Sequence, residues 1–249
     1  MDAEGRDYEL LKSVSDQFVD LTSRSDYAHG LDWFGIPIFQ VPTDLYVYQK
    51  LLWEMRPELI IETGVAGGGS IAYIASLMTL LEGSWPPNAQ GDTVGSNWRV
   101  IGIDLNDVTA ARERINGFSF AEHVSLVRAN STDSNLHKSL HDLRDSFSRV
   151  IVFLDSDHSE DHVLSELSTF SDLLAPGDHI VVWDSGLGRL SDTTHASRPR
   201  AWNSRSHAGT AVKNFLNSAQ GSDFEVRRDV AEPLLISSVW DGILRKCHS

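Results

Sequence analysis

Four short apolar runs in this chain each end on an acidic residue. They are Leu59-Ile60-Ile61 before Glu62, Val100-Ile101-Gly102-Ile103 before Asp104, Val150–Leu154 before Asp155, and Ile180-Val181-Val182-Trp183 before Asp184. Val124–Val127 adds a run without a terminal acid. Runs this short and continuous read as strands buried on both faces. Between them lie helical patterns over Ile71–Leu81, Val108–Ile115 and, more weakly, residues 135–145. Val163, Leu164, Leu167, Phe170 and Leu174 mark another helix, which Pro176-Gly177 stops. Alternating short strands and helices predict an α/β fold around a mostly parallel sheet. Ligands of such sheets bind beyond the carboxyl ends of the strands, so Glu62, Asp104, Asp155 and Asp184 are expected on one rim.

The flanks are less regular. Residues 7–21 carry Leu11, Val14, Phe18 and Leu21 at helical spacing, and a second helix is predicted from Thr43 to Met55. Residues 83–98 read as a long polar loop, and so do residues 185–209, with four arginines and a single acid, Asp192. A short helix around Val212, Phe215 and Leu216 precedes two expected final strands, Phe224–Arg227 and Leu234–Val239. No repeat or linker breaks the chain. We read residues 1–249 as one domain, with 1–55 as an N-terminal helical lid or oligomer segment.

Charge limits the partners. Thirty-five acidic against 21 basic residues give a net charge of −14, which argues against a nucleic-acid footprint or a polybasic membrane anchor. Cys247 is the single cysteine, which excludes an intramolecular disulfide framework and a cysteine-rich zinc site. No apolar run approaches the ~20 residues of a membrane-spanning helix. With a polar Met1-Asp2-Ala3-Glu4 start, these features predict a cytoplasmic protein.

The chemistry centres on Glu62-Thr-Gly-Val-Ala-Gly-Gly-Gly-Ser70, which follows a strand and opens a helix. Glycines there let the backbone turn tightly and approach a ligand closely. A dinucleotide fingerprint needs a second glycine two positions after Gly64, where Ala66 stands. A phosphate-binding P-loop needs a Lys-Ser/Thr pair, which Ser70-Ile71 does not supply. Glu62 would repel a pyrophosphate and suits a cationic amino-acid moiety. That combination points to S-adenosylmethionine, with Glu62, Gly64, Ala66 and Ser70 as candidate contacts. Asp104 is placed to accept both ribose hydroxyls. Asn130-Ser131-Thr132 follows the third strand, and Ser131 is the candidate for the adenine edge. Asp155 is expected to contact the cofactor too. Asp155 and Asp184 are also candidate ligands for a divalent ion, and His158 is a candidate general base.

Several segments together resemble the cephalosporin hydroxylase/rhamnosyl O-methyltransferase family. They are Trp33-Phe-Gly-Ile-Pro37, the stretch from Pro42 to Gln49, Arg56-Pro-Glu-Leu-Ile-Ile-Glu-Thr-Gly64 and Leu154-Asp-Ser-Asp-His-Ser159. Glu166-Leu167, Pro176-Gly177 and the ending Trp240-Asp-Gly-Ile-Leu-Arg245 are similar as well. The resemblance implies a Rossmann-like class I methyltransferase: a seven-stranded, mostly parallel sheet with an antiparallel last strand and helices on both faces. It implies methyl transfer from S-adenosylmethionine to nitrogen or oxygen of a sugar- or amino-sugar-containing antibiotic intermediate, in a homo-oligomer. Metal-dependent members carry an acidic pair at the end of the fifth strand, typically Glu-Asp. Here the pair is Trp183-Asp184, which leaves Asp155 and Asp184 as candidate magnesium ligands.

A hydroxyl acceptor needs a metal or a general base, whereas an amine needs only to be neutral. His158, Asp155 and Tyr8 are the candidate bases, Tyr8 on the expectation that the N-terminal helix folds over the site. Trp33, Phe34, Phe118 and Phe120 are candidates to wall the acceptor pocket. A nicotinamide-dependent oxidoreductase and a non-catalytic cofactor-binding module are the alternatives.

Overall fold

The computed structural model of the chain describes residues 3–25, 27–83, 86–197 and 200–248, with the side chains of 3–6 not described. The Met1-Asp2 start, part of the 83–98 loop and Arg198 of the arginine-rich stretch lie outside the described residues.

A long helix α1 (Ala3–Arg24) leads to a hairpin, β1 (Asp32–Trp33) with β2 (Ile36–Pro37), and then to α2 (Asp44–Met55). Arg56 ends α2 in a left-handed turn, φ 51°, and Pro57 prevents its continuation. The central alternation follows as β3 (Leu59–Thr63), α3 (Gly69–Leu81), β4 (Arg99–Asp104), α4 (Thr109–Ile115), β5 (Val124–Arg128), α5 (Ser134–Arg144), β6 (Val150–Leu154), α6 (Glu160–Ser171) and β7 (His179–Val182). After α7 (Asp192–Ser197) and α8 (Ala208–Leu216), the chain ends with β8 (Phe224–Val226), α9 (Arg228–Ala231) and β9 (Ile243–Lys246).

Among the described residues seven strands form one sheet in the order β5-β4-β3-β6-β7-β9-β8. The pairs from β5 to β7 are parallel, and β9 runs antiparallel to both β7 and β8. This is the expected sheet with its antiparallel last strand. Side chains alternate across it. Ile60, Val100, Phe153 and Val181 pack on α2 and α3 through Tyr48, Leu52, Ile74 and Met78. Leu59, Ile61, Val152 and Ile180 pack on α6 and α8 through Leu167, Phe170, Val212 and Phe215. Burial on both faces explains why these strands read as unbroken apolar runs.

Two expectations are corrected. Leu234–Val239 is not a strand: Pro233 sits in a short 3₁₀ turn, and Ser237 and Ser238 bind the buried Asp44 carboxylate at 2.6 and 3.0 Å. The final strand is β9, which begins inside the Trp240–Arg245 ending and runs to Lys246. The 185–209 stretch is also not a plain loop. It contains a 3₁₀ turn, Ser185–Arg189, as well as α7, and α1 docks on it. Asp20 accepts from the Ser191 amide at 2.8 Å and the Thr194 hydroxyl at 2.7 Å, and Asp16 pairs with Arg189.

Candidate active site

The turn after β3 is built around a close approach. Gly64 has φ 88°, and its amide donates to the Ile103 carbonyl at 2.8 Å. A side chain on Gly64 would overlap the Asp155 backbone. One on Gly69 would meet Pro37 and Ile38, so the hairpin lies directly against the glycine turn. Asp104 fixes the turn from below: Oδ2 accepts from the amides of Val65 and Ala66 at 2.9 and 3.1 Å, and Oδ1 from that of Asn106 at 2.8 Å. Ala66 takes φ 43°, unusual for a residue with a side chain, and is exposed at the rim.

Glu62 departs from expectation. It is wholly buried, accepting from Tyr48 Oη at 3.1 Å and from Ser70 Oγ. Burial pushes its carboxyl up to about 7. It lines no described cavity and holds the start of α3 to β3 rather than facing a ligand; Ser70, its partner, is likewise turned inward.

Two cavities open beyond the strand ends. The larger, about 650 Å³, is lined by Gly64 and Ala66, by Asp104, Asn106 and Asp107 after β4, by Asn130 and Ser131 after β5, and by the Asp155–His158 turn, His162, Arg200 and Trp202. The smaller, about 300 Å³, is lined by Thr22, Ser23 and Ser25 at the end of α1, by Tyr27, Phe39 and Gln40, and by Asp184, Thr194 and Ser238. Gly64, Ala66, Asp155, His158 and Trp202 belong to both.

Asp155 therefore stands at the junction. Gln40 Nε2 donates to its Oδ2 at 2.6 Å. Burial, then the Asp184 and Glu62 carboxylates, hold it well above the ordinary carboxylate range. His158 Nε2 lies 3.1 Å from Asp184 Oδ2, which orients the ring in the junction.

Other predicted residues fall elsewhere. Tyr8 is 48% exposed and lies outside both cavities. It sits fourteen residues before Thr22, roughly 20 Å up the helix at 1.5 Å per residue. The end of α1 reaches the site, and Tyr8 does not. The expected aromatic wall is also displaced. Trp33 packs edge-on against Tyr73, Phe118 stacks on Phe120, and Phe34 is 70% exposed. Trp202, Phe39 and Tyr27 line the smaller cavity instead. Trp202 carried a signal, as a lone aromatic in a polar stretch; Gln40 carried none. Of the arginines, Arg200 lines the larger cavity while Arg189 stacks on Trp240 at 3.8 Å.

Asp155 and Asp184 are the candidate magnesium ligands. Gln40 occupies one Asp155 oxygen and His158 one Asp184 oxygen, and the neighbouring Trp183 is buried against Tyr48. Among the described residues no three His, Cys, Asp or Glu side chains are grouped to hold a metal. The residues present do not compose a complete magnesium site.

The sequence profile of the rhamnosyl O-methyltransferase/CmcI family matches residues 25–247. The chain belongs to this family. A rhamnosyl O-methyltransferase from Mycobacterium bovis is 31% identical over 160 residues, 62% of this chain and 57% of that protein. The match thus spans little more than half the length of that relative. The apo structure of CmcI has a TM-score of 0.58 at 21% identity, over 90% of this chain and 79% of that one. A CmcI structure with magnesium and S-adenosylmethionine has a TM-score of 0.56 at 21% identity, over 89% and 78% of the two chains. The chain has the fold of the class I methyltransferases.

Proposed function

We propose that this chain transfers a methyl group from S-adenosylmethionine to a hydroxyl or amine of a small, sugar-containing acceptor. The observation that carries the proposal is the junction of two cavities at Asp155 and His158. The larger cavity suits the cofactor. Asp104, Asp107, Asp155 and Asp157 line it, a set that repels a pyrophosphate and favours a cation. Asp104 and Asn106 would hold the ribose, Asn130 and Ser131 the base, and the Gly64–Ala66 turn the amino-acid end. The smaller cavity suits the acceptor. Hydroxyls of Thr22, Ser23, Ser25, Thr194 and Ser238, with the rings of Tyr27, Phe39 and Trp202, match a polyhydroxylated ring with an apolar face.

Bound there, S-adenosylmethionine would supply the methyl group, its sulfur keeping the electron pair of the broken bond as the acceptor's bond to carbon forms. The protein holds the reacting atoms in line. The acceptor proton passes to the Asp155 carboxylate, which burial and the Asp184 and Glu62 carboxylates make more basic than usual, or to His158, oriented by Asp184. No step runs through a metal. The sugar acceptor named for the mycobacterial relative and the cofactor in the CmcI structure support this reading.

The proposal includes a single catalytic domain over residues 1–249 in a cytoplasmic homo-oligomer. Leu10, Leu11, Val14 and Leu21 face outward from α1 at 55–63% exposure, a stripe suited to a second copy. Among the described residues no helix is long and apolar enough to cross a membrane. Titration calorimetry with S-adenosylhomocysteine tests the cofactor site, and mass spectrometry of glycosylated acceptors incubated with S-adenosylmethionine tests transfer. No binding at millimolar ligand refutes the proposal.

A further inference from the structure

Glu166 is wholly buried, yet one of its oxygens, Oε2, has no hydrogen-bond partner among the described residues. The other, Oε1, accepts from Ser156 Oγ at 2.8 Å and lies 3.4 Å from Nε2 of His162, one turn back on α6. A carboxylate this deep needs a cationic partner. His162 is that partner, and its hydrogen bond with Glu166 raises the imidazole above its usual range. The same Nε2 lies 3.1 Å from Ser156 Oγ and 3.4 Å from Ser131 Oγ. All of these contacts gather on Nε2. Nδ1 has no partner among the described residues, and the ring lines the larger cavity.

On the cofactor reading above, a ribose at Asp104 directs the base toward Ser131, beside which His162 stands. Adenine offers ring nitrogens that accept hydrogen bonds, and an imidazolium with Nε2 committed to Glu166 has one N–H left to donate. We propose that His162 hydrogen-bonds a ring nitrogen of the cofactor's adenine through Nδ1, and that Glu166 is the positioning residue that fixes the ring. The contact deepens the cofactor assignment by naming a side chain that recognises the purine ring.

Calorimetry with S-adenosylhomocysteine and its 1-deaza, 3-deaza and 7-deaza analogues tests this. His162→Ala should weaken S-adenosylhomocysteine binding about 10- to 100-fold, the loss of one charge-assisted hydrogen bond. One deaza analogue should lose the same factor with the wild type and nothing further with His162→Ala. Glu166→Gln should weaken binding only where His162 is present. Melting curves of the ligand-free variants check folding, and His162→Gln serves if His162→Ala does not fold. Unchanged affinity in a folded His162 variant overturns the proposal, as does an equal loss for every analogue in both backgrounds. A wild type that binds S-adenosylhomocysteine while its His162 variants bind equally well removes only this contact. A wild type that does not bind it removes the cofactor reading, and this contact falls with it.

Discussion

Gly64→Ala probes whether the site depends on the close approach of two strand-end turns. Gly64 has φ 88°, a left-handed conformation that costs an alanine about 1–2 kcal/mol. The added methyl would also sit on the Asp155 carbonyl oxygen, 2.6 Å from its carbon and 3.1 Å from Ser156 Cα. These are backbone atoms, so relief requires moving the turn after β6, and overpacking of that kind costs roughly 1–3 kcal/mol. The sum is about 2–5 kcal/mol. At about 2–4 °C per kcal/mol for a chain of this size, the midpoint should fall by roughly 5–20 °C. Gly83→Ala is the control. Its φ is 64°, but nothing lies within 4 Å of an added methyl, so only the conformational cost applies. Thermal unfolding by circular dichroism gives both midpoints, and calorimetry shows whether displacing Asp155 also weakens S-adenosylhomocysteine binding. If the two variants melt within about 2 °C of each other, the close-packing argument fails.

Three further outcomes are expected. Asp104→Ala frees the amides of Val65, Ala66 and Asn106 together with the proposed ribose contact, and should weaken S-adenosylhomocysteine binding by about 1.5–3 kcal/mol in calorimetry. Unchanged affinity would remove Asp104 from the site. Glu62 titrates at about 7 in the fold against 4.5 when unfolded, so between those values the folded state holds more protons than the unfolded one and stability falls as pH rises. The full loss is about 3 kcal/mol, absent below pH 4.5, and urea titrations from pH 4 to 8 should show it flattened in Glu62→Gln. Methyl transfer should survive EDTA, because Asp155 and Asp184 are engaged by Gln40 and His158; a tenfold loss restored by magnesium would refute that.

Much of the architecture was legible because its signals are local. An unbroken apolar run records burial on both faces, and a strand ending in a glycine-rich turn records a tight path into a helix. The C-terminal region was less legible. Leu234–Val239 is as apolar as a strand, but its serines answer a buried carboxylate on α2, 193 residues away in sequence. The cavity wall was hidden for the same reason, since Thr22, Gln40 and Trp202 come from three separate segments that meet only in the folded chain.

The four strand-end acids show where sequence stops and tertiary structure takes over. Sequence alone placed Glu62, Asp104, Asp155 and Asp184 at the carboxyl ends of parallel strands, because short apolar runs punctuated by acids permit little else. It did not separate their roles. Glu62 lies inside β3, paired in register with Gly102 and Phe153, so the pleat turns its side chain into the layer of α2 and α3. Asp104 is the last residue of β4, and Asp155 and Asp184 follow β6 and β7, so they reach the rim. Two or three positions along the strands divide a buried scaffold carboxyl from the carboxylates at the rim, and that register is fixed by the neighbouring strands, not by the segment itself.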